Sequence, residues 1–295
     1  MQIALYGLAY WQELQPTRLP ENTYRELQLL ARQYYQMTSL LIKAKVDFNA
    51  LCDQVLPGMQ ELMSDHAGRH KLSDFVLRYH HTAHILKMGE TRFRKDYCKW
   101  AEKKGYRNHE RMAALIFATA QNGIPVLPDA PSTQIVITEA IRVLHTVEAS
   151  RDAILTQMQA LAKTLPEYSL VREMPCIGDT LAPRLIAEIG DVRRFHSKRA
   201  LIAYAGIDAP PYQSGKFCAN NRHISKRGNR YLRKTGYEVM QSYVMHKPAN
   251  DPIFTFIEKK RSEGKSGKLA MVAGLNKFLR VYYGKVTELY RSLPQ

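Results

Sequence analysis

Between residues 21 and 55, apolar side chains recur in alternating steps of three and four: Leu27, Leu30, Tyr34, Met37, Leu41, Ala44, Phe48, Leu51 and Val55. That spacing holds one seam on one face of a helix for about four heptads. Pro57-Gly58 ends it. A second long helix is predicted from Pro131 to Leu165. Ile137, Ile141, Leu144, Leu155, Met158, Ala162 and Leu165 keep one register there, interrupted by Glu148 and Arg151. The stretch "LPDAPST" supplies a proline and a Ser/Thr cap at its start. Two such helices can pair within one chain as a hairpin, or between two chains as a dimerising coiled coil. The strictness and length of the first seam favour a homo-oligomer through the long helices.

Shorter elements flank these helices. Ile3, Leu5, Leu8 and Trp11 suggest a helix over residues 1–16, stopped by Pro16 and Pro20. The insert from about 58 to 128 is helical in composition and carries "RYHHTAHILK" and "RFRKDYCKWAEKKGYRNHERM". His80, His81 and His84 lack cysteines or carboxylates at ligand spacing, so no metal site is expected. The interleaved Arg, Lys, Tyr and Trp suit either a phosphate- and base-contacting surface or a solvated helical face. From Val171 onward the character changes: glycines, dense cations and short motifs take over. The expected divisions are 1–16, 17–170 and 171–295. The expected class is mainly α, with a long helical hairpin, a helical insert and a compact basic C-terminal domain.

Composition narrows the function. Of 295 residues, 43 are Lys or Arg and 27 are Asp or Glu, a net charge of +16. That excess suits a polyanionic partner. Hydrophobic residues make up 45%, enough for a sizeable core. Four cysteines lie far apart with no CxxC pair, against a zinc site or a disulfide framework. No apolar run reaches the length of a membrane span, and the start lacks a signal-peptide pattern, so a cytoplasmic location is expected.

Three motifs carry the candidate chemistry. "MPCIGDTLAPRLIAEIG", Met174 to Gly190, is a tight turn entering a helix. It is either an ordinary capped helix or half of a helix-hairpin-helix element. In the latter, Gly178 and Thr180 would meet a phosphate through backbone N–H groups. "RRFHSKRALIAYAGI" sets Arg193, Arg194, Lys198 and Arg199 at a helix start, where cations oppose the dipole and a bound phosphate would relieve them. "PPYQSGKFCANNRHISKRGNRYLRK" runs from Pro210 to Lys234 with no acidic residue. Ser214, beside Gly215 in a loop, is either a turn serine or a nucleophile over a phosphate. Lys216, Arg222, Lys226 and Arg227 are near enough in sequence to stabilise developing phosphoryl charge, and His223 is the nearest candidate base. Arg230, Arg233 and Lys234 follow on a helix expected from Gly228 to Tyr243, as further phosphate contacts. Ser225 sits before Lys226 and Arg227 at that helix mouth, where it suits capping.

The ordered set "MPCIGDTLAPRLIAEIGDVRRFHSKRALIAYAGIDAPPYQSG…RHISKRGNRYLRKTGYEVM" resembles the C-terminal domain of the insertion-sequence transposases of the one-hundred-ten family, the DEDD or bridge-RNA-guided recombinases. The resemblance covers Val171 to about Tyr290 strongly and the long helices more weakly. It implies that Ser214 is the nucleophile and that DNA is cleaved through a phosphoserine link before strand exchange. It also implies donor and target DNA and a structured noncoding RNA as partners. Members of that family begin with a RuvC-like domain whose four acidic residues hold Mg2+. Here the resemblance starts at that domain's last helix, "IALYGL", and Asp47, Asp53 and Asp65 do not match the missing acids. The chain itself is therefore expected to need no cofactor. It reads as a transposase lacking most of that domain, or alternatively as a nucleic-acid-binding and dimerisation fragment without catalysis.

Overall fold

A computed structural model describes residues 2–9, 22–63, 70–106, 109–209, 213–214, 217–218 and 223–293. Helices dominate, in the order α1 (Gln2–Ala9), α2 (Asn22–Val55), α3 (Met59–Met63), α4 (Lys71–Tyr79), α5 (Thr82–Met88), α6 (Glu90–Lys103), α7 (His109–Asn122) and α8 (Pro131–Ala162). There follow α9 (Tyr168–Arg172), α10 (Leu181–Ile189), α11 (Lys198–Ala205), α12 (Arg230–His246), α13 (Pro252–Ser262) and α14 (Gly267–Ser292). Between α11 and α12 lies one antiparallel pair of two-residue strands, β1 (Gln213–Ser214) and β2 (Phe217–Cys218). The expected mainly α class holds. No described helix is long and apolar enough to cross a membrane.

The chain divides into two compact units, residues 35–153 and residues 1–34 with 154–295. In the first, Leu41, Phe48, Cys52 and Val55 of α2 share an apolar cluster with Ile137, Ile141 and Leu144 of α8 and the insert's Phe75, Tyr79, Phe93, Tyr97 and Trp100. In the second, Tyr24, Leu27 and Ala31 join Met158 and Ala162 and the apolar faces of α9 to α14. Every residue of the α2 seam is buried or half-buried by the chain itself. Its periodicity is therefore used within one chain, and a second copy is not needed to cover it. Of the helix expected over residues 1–16, Gln2–Ala9 is described and helical; residues 10–16, with Trp11, fall outside the described residues.

The insert's aromatics correct one expectation. Phe93 and Tyr97 are fully buried, and Trp100 and Tyr106 nearly so. The period of α6 turns its aromatics into the core and its cations outward. The rings are therefore not available for base stacking. His81 is likewise structural: Nδ1 accepts from the Ala83 N–H and Nε2 meets the Leu127 carbonyl.

A buried polar knot ties distant parts of the second unit. The Tyr24 hydroxyl donates to Glu167 Oε1 at 2.7 Å and the Tyr290 hydroxyl to Oε2 at 2.5 Å, with the two phenol oxygens 2.9 Å apart. Glu167 is 1% exposed, so both carboxylate oxygens need such donors. Burial and the Glu167 charge push the Tyr24 phenol far above its ordinary range, which keeps it a donor.

Leu41→Asp tests the seam. It sets an unpaired carboxylate at a 3%-exposed position and is expected to cost several kcal/mol. Because the cover comes from the same chain, the fall in melting temperature should be independent of protein concentration across a hundredfold dilution series.

Candidate nucleic-acid interface

The stretch 204–208 runs against 225–229 through backbone hydrogen bonds. Asn229 N–H donates to the Tyr204 carbonyl at 2.6 Å, Lys226 N–H to Gly206 at 3.0 Å and Ser225 N–H to Asp208 at 2.8 Å. The Ser225 hydroxyl adds a 2.5 Å bond to Asp208 Oδ1. Two glycines make this approach possible. A Cβ at Gly228 would stand 2.1 Å from the Tyr204 oxygen, and Gly206 caps α11 at φ +65° against the same backbone. The result is a clasp that brings together both ends of the segment carrying Ser214. Inside that segment Gln213 pairs with Cys218 and Ser214 with Phe217, so Ser214 ends the first arm of a tight hairpin. Only its backbone is described, and Lys216 and Arg222 lie outside the described residues.

Asn229 joins the clasp to the core. Its Oδ1 accepts the Tyr231 and Leu232 N–H groups at the start of α12, while Nδ2 donates to Glu188 Oε2 at 2.7 Å and to the Tyr204 hydroxyl at 3.1 Å. Ser225 therefore does not cap α12 as expected. Asn229 holds that position, and Ser225 locks the clasp. The sequence signal was present, since Asn is a preferred cap and here follows the glycine. Glu188 is 0% exposed. Burial raises its carboxyl above the ordinary range, against the Asn229 hydrogen bond and the Arg32 and Arg184 charges.

The expected cations divide into two kinds. Arg233 is half-buried and gives Nη1 to the carbonyls of Ala205 and Gly228, which makes it part of the clasp. Arg193 pairs with Asp191 at 2.9 Å, and Arg194 gives Nη2 to the Ile189 carbonyl while lying over Phe195 and Tyr204. These two need no phosphate to relieve them. Lys198 and Arg199 remain exposed at the start of α11, whose cap is Ser197. Lys226 and Lys234 are also exposed.

Arg227 and Arg230 behave differently. With Arg32, Tyr204, Gly228, Asn229 and Tyr231 they line an open cavity of about 410 Å³. The guanidiniums of Arg32 and Arg230 lie 5.4 and 4.8 Å from the centre of the Tyr231 ring. None of the three arginines forms an ion pair within the described residues, leaving a concave cluster of positive charge. Arg32 was not legible as a partner, being about 200 positions away in sequence.

Gly178 and Thr180 line a separate, larger cavity of about 750 Å³ with Arg172, Ser242 and His246. Gly178 is exposed, and its carbonyl accepts from the N–H groups of Leu181 and Ala182. Thr180 occupies the N-cap position of α10 without a side-chain capping bond. Asp179, between them, is held by Arg172 at 2.5 Å, which lowers its carboxyl below the ordinary range. A phosphate approaching this turn meets a carboxylate first, although one already neutralised. Among the described residues no group of three His, Cys, Asp or Glu could hold a metal ion. The acids implied for Mg2+ thus have no counterpart among them.

The second unit thus carries a clasped hairpin that includes Ser214 and, lining an open cavity, Arg32, Arg227 and Arg230. Comparison with known proteins shows what this stretch is similar to. Residues 168–253 match the model described as "Transposase IS116/IS110/IS902 family", under a third of the chain. The chain is 22% identical over 259 residues to the insertion element IS110 uncharacterized 43.6 kDa protein of Streptomyces coelicolor, covering 88% of this chain and 62% of that one. It is 27% identical over 136 residues to the pilin gene-inverting protein of Moraxella bovis, covering 45% and 42%. Against the transposase for insertion sequence element IS1111A of Coxiella burnetii it is 33% identical over 81 residues, 26% and 21%. The chain spans less than two thirds of the length of each of these relatives.

Two substitutions check the clasp and its anchor. Gly228→Ala drives a methyl into the Tyr204 carbonyl and is expected to cost about 1–3 kcal/mol in denaturant unfolding. Glu188→Gln tests the raised carboxyl. A folded pKa above the unfolded one means that stability falls as pH rises from the ordinary glutamate value to the raised one, and stays lower above it. The glutamine should flatten that slope in urea unfolding between about pH 4 and pH 8 and gain most at the upper end.

Proposed function

We propose that this chain is the DNA-handling part of an insertion-sequence recombinase and that Ser214 is its nucleophile. In the reaction the Ser214 oxygen attacks a backbone phosphorus and loses its proton. A phosphoserine bond forms as the strand's sugar oxygen leaves as a hydroxyl. Cations around the hairpin offset the charge that builds on the phosphoryl oxygens. The single observation that carries the reading is the clasp. It closes the base of the segment that carries Ser214, with exposed Lys226, Arg227 and Arg230 on its second arm and just beyond, within the stretch that matches the transposase family. The Moraxella relative's name, a gene-inverting protein, supports rearrangement of DNA as the outcome. The resemblance adds a structured RNA as a partner. No step is assigned to a metal, because the residues described here do not fit one.

With the family's acidic domain supplied in trans, wild-type chain on a suicide DNA substrate should yield a covalent adduct that maps to Ser214. Ser214→Ala should abolish the adduct and leave binding within about 1 kcal/mol, since a neutral turn serine carries little phosphate affinity. Ser225→Ala should keep the adduct, with some loss of stability from the broken bond to Asp208. An adduct that survives Ser214→Ala, or a phosphopeptide centred on Ser225, overturns the assignment. Salt-dependent DNA binding with no adduct under any condition leaves the binding-only function.

A further inference from the structure

The insert carries a second feature, independent of the clasp. Arg92, Lys95, Lys99 and Lys103 of α6 are all exposed, and none makes an ion pair or hydrogen bond among the described residues. At 100° per residue they fall within an arc of roughly 80°. The buried Phe93, Tyr97, Trp100 and Ala101 occupy the other side of the helix. At 1.5 Å rise per residue the four charges run for about 16 Å, the axial length of about five phosphates on one strand of B-form DNA. Asp96, beside this row and under the charge of Arg92, is already committed by hydrogen bonds elsewhere. It takes Arg78 Nη2 at 2.7 Å and the Tyr79 hydroxyl at 2.8 Å. Glu90 is paired with Arg94 at 3.5 Å, and Glu102 stays on the flank.

We infer that this row is a docking rail for the phosphate backbone of duplex DNA. Charge complementarity gives the class of partner, and two absences on the exposed face narrow it. None of the exposed large hydrophobic residues lies on α6, so the face offers no anchor for a protein partner or a lipid surface. Its aromatic rings are buried, so no platform stacks the bases of a single strand. Four unpaired cations in a line, without rings, read a backbone and not its sequence. DNA as the polyanion rests on the function proposed above. The rail itself belongs to the unit formed by residues 35–153 and not to the transposase domain.

The test compares two glutamine variants of the full chain, R92Q/K95Q/K99Q/K103Q and R227Q/R230Q, on a labelled duplex DNA of random sequence across a salt series. Circular dichroism should show wild-type helix content for the rail variant, because every changed side chain is exposed. The rail variant is expected to bind at least tenfold more weakly at about 0.1 M salt. Its log–log salt slope should shrink by about 0.9 for each phosphate no longer neutralised, up to about 3.6. Affinity and slope equal to wild type overturn the rail. If R227Q/R230Q weakens binding while the rail variant does not, the rail fails and the proposed function stands. A wild-type chain with no salt-dependent duplex binding sinks both. A parallel arm with duplex RNA identifies the polyanion: weakening confined to RNA, with DNA binding intact, also overturns the assignment to DNA.

Discussion

The second unit depends on one close backbone approach, the 2.6 Å hydrogen bond from Asn229 N–H to the Tyr204 carbonyl. It exists only because residue 228 has no side chain. From it follow the position of the α12 start, the inward turn of Arg233 and the closure of the segment that presents Ser214. Glu188 sets the same asparagine from below, at the cost of a carboxyl buried away from water. A buried acid is tolerated when its hydrogen bond orients a group that several others rely on. Here that side-chain amide caps a helix and touches a tyrosine, while the backbone N–H of the same residue bonds the neighbouring stretch.

The positive charge is not one uniform coat. Arg184 is buried against Glu238 at 2.6 Å, Arg233 holds carbonyls, and Arg193 and Arg194 lie on aromatic faces. These arginines are structural cross-links whose planar forks suit carbonyls and rings. Another set, with Arg32, Arg227 and Arg230 on one unit and the α6 row on the other, makes no ion pair among the described residues. The net +16 therefore overstates how alike these side chains are in role. Sequence showed that the excess exists, but only burial and partners separate cations that hold the fold from those left exposed.

Much of the fold was legible. The steps of three and four foretold α2, and proline with its cap foretold α8, because both signals are local. The C-terminal motifs were legible in order, and the clasp joins two of them, AYAGI and SKRGN. What was not legible depends on distance. Arg32 meets Tyr231 across about 200 residues, and no spacing rule reaches that far. The aromatics of α6 looked like a binding surface because composition names residue types without direction; the helical period assigns them to the core. The seam looked like a dimer signal because periodicity says that a face is covered without saying by what. Ser225 was placed at the right end of the right helix, but the cap belongs to the residue directly before the helix, which is Asn229.

The knot of Tyr24, Glu167 and Tyr290 has a consequence for how the molecule is made. It joins a residue near the start of the chain to one near its end, within a unit whose core also needs Leu27 and Ala31. During synthesis those early residues leave the ribosome long before Tyr290 exists. At ordinary elongation rates the delay is on the order of tens of seconds. For that time the start of α2 lacks the part of its native cover that comes from the last helices, whereas residues 35–153 are complete about halfway through. The inserted unit can therefore fold first while the other unit waits for its last helix. An early apolar stretch kept waiting in this way is the kind of surface that chaperones bind.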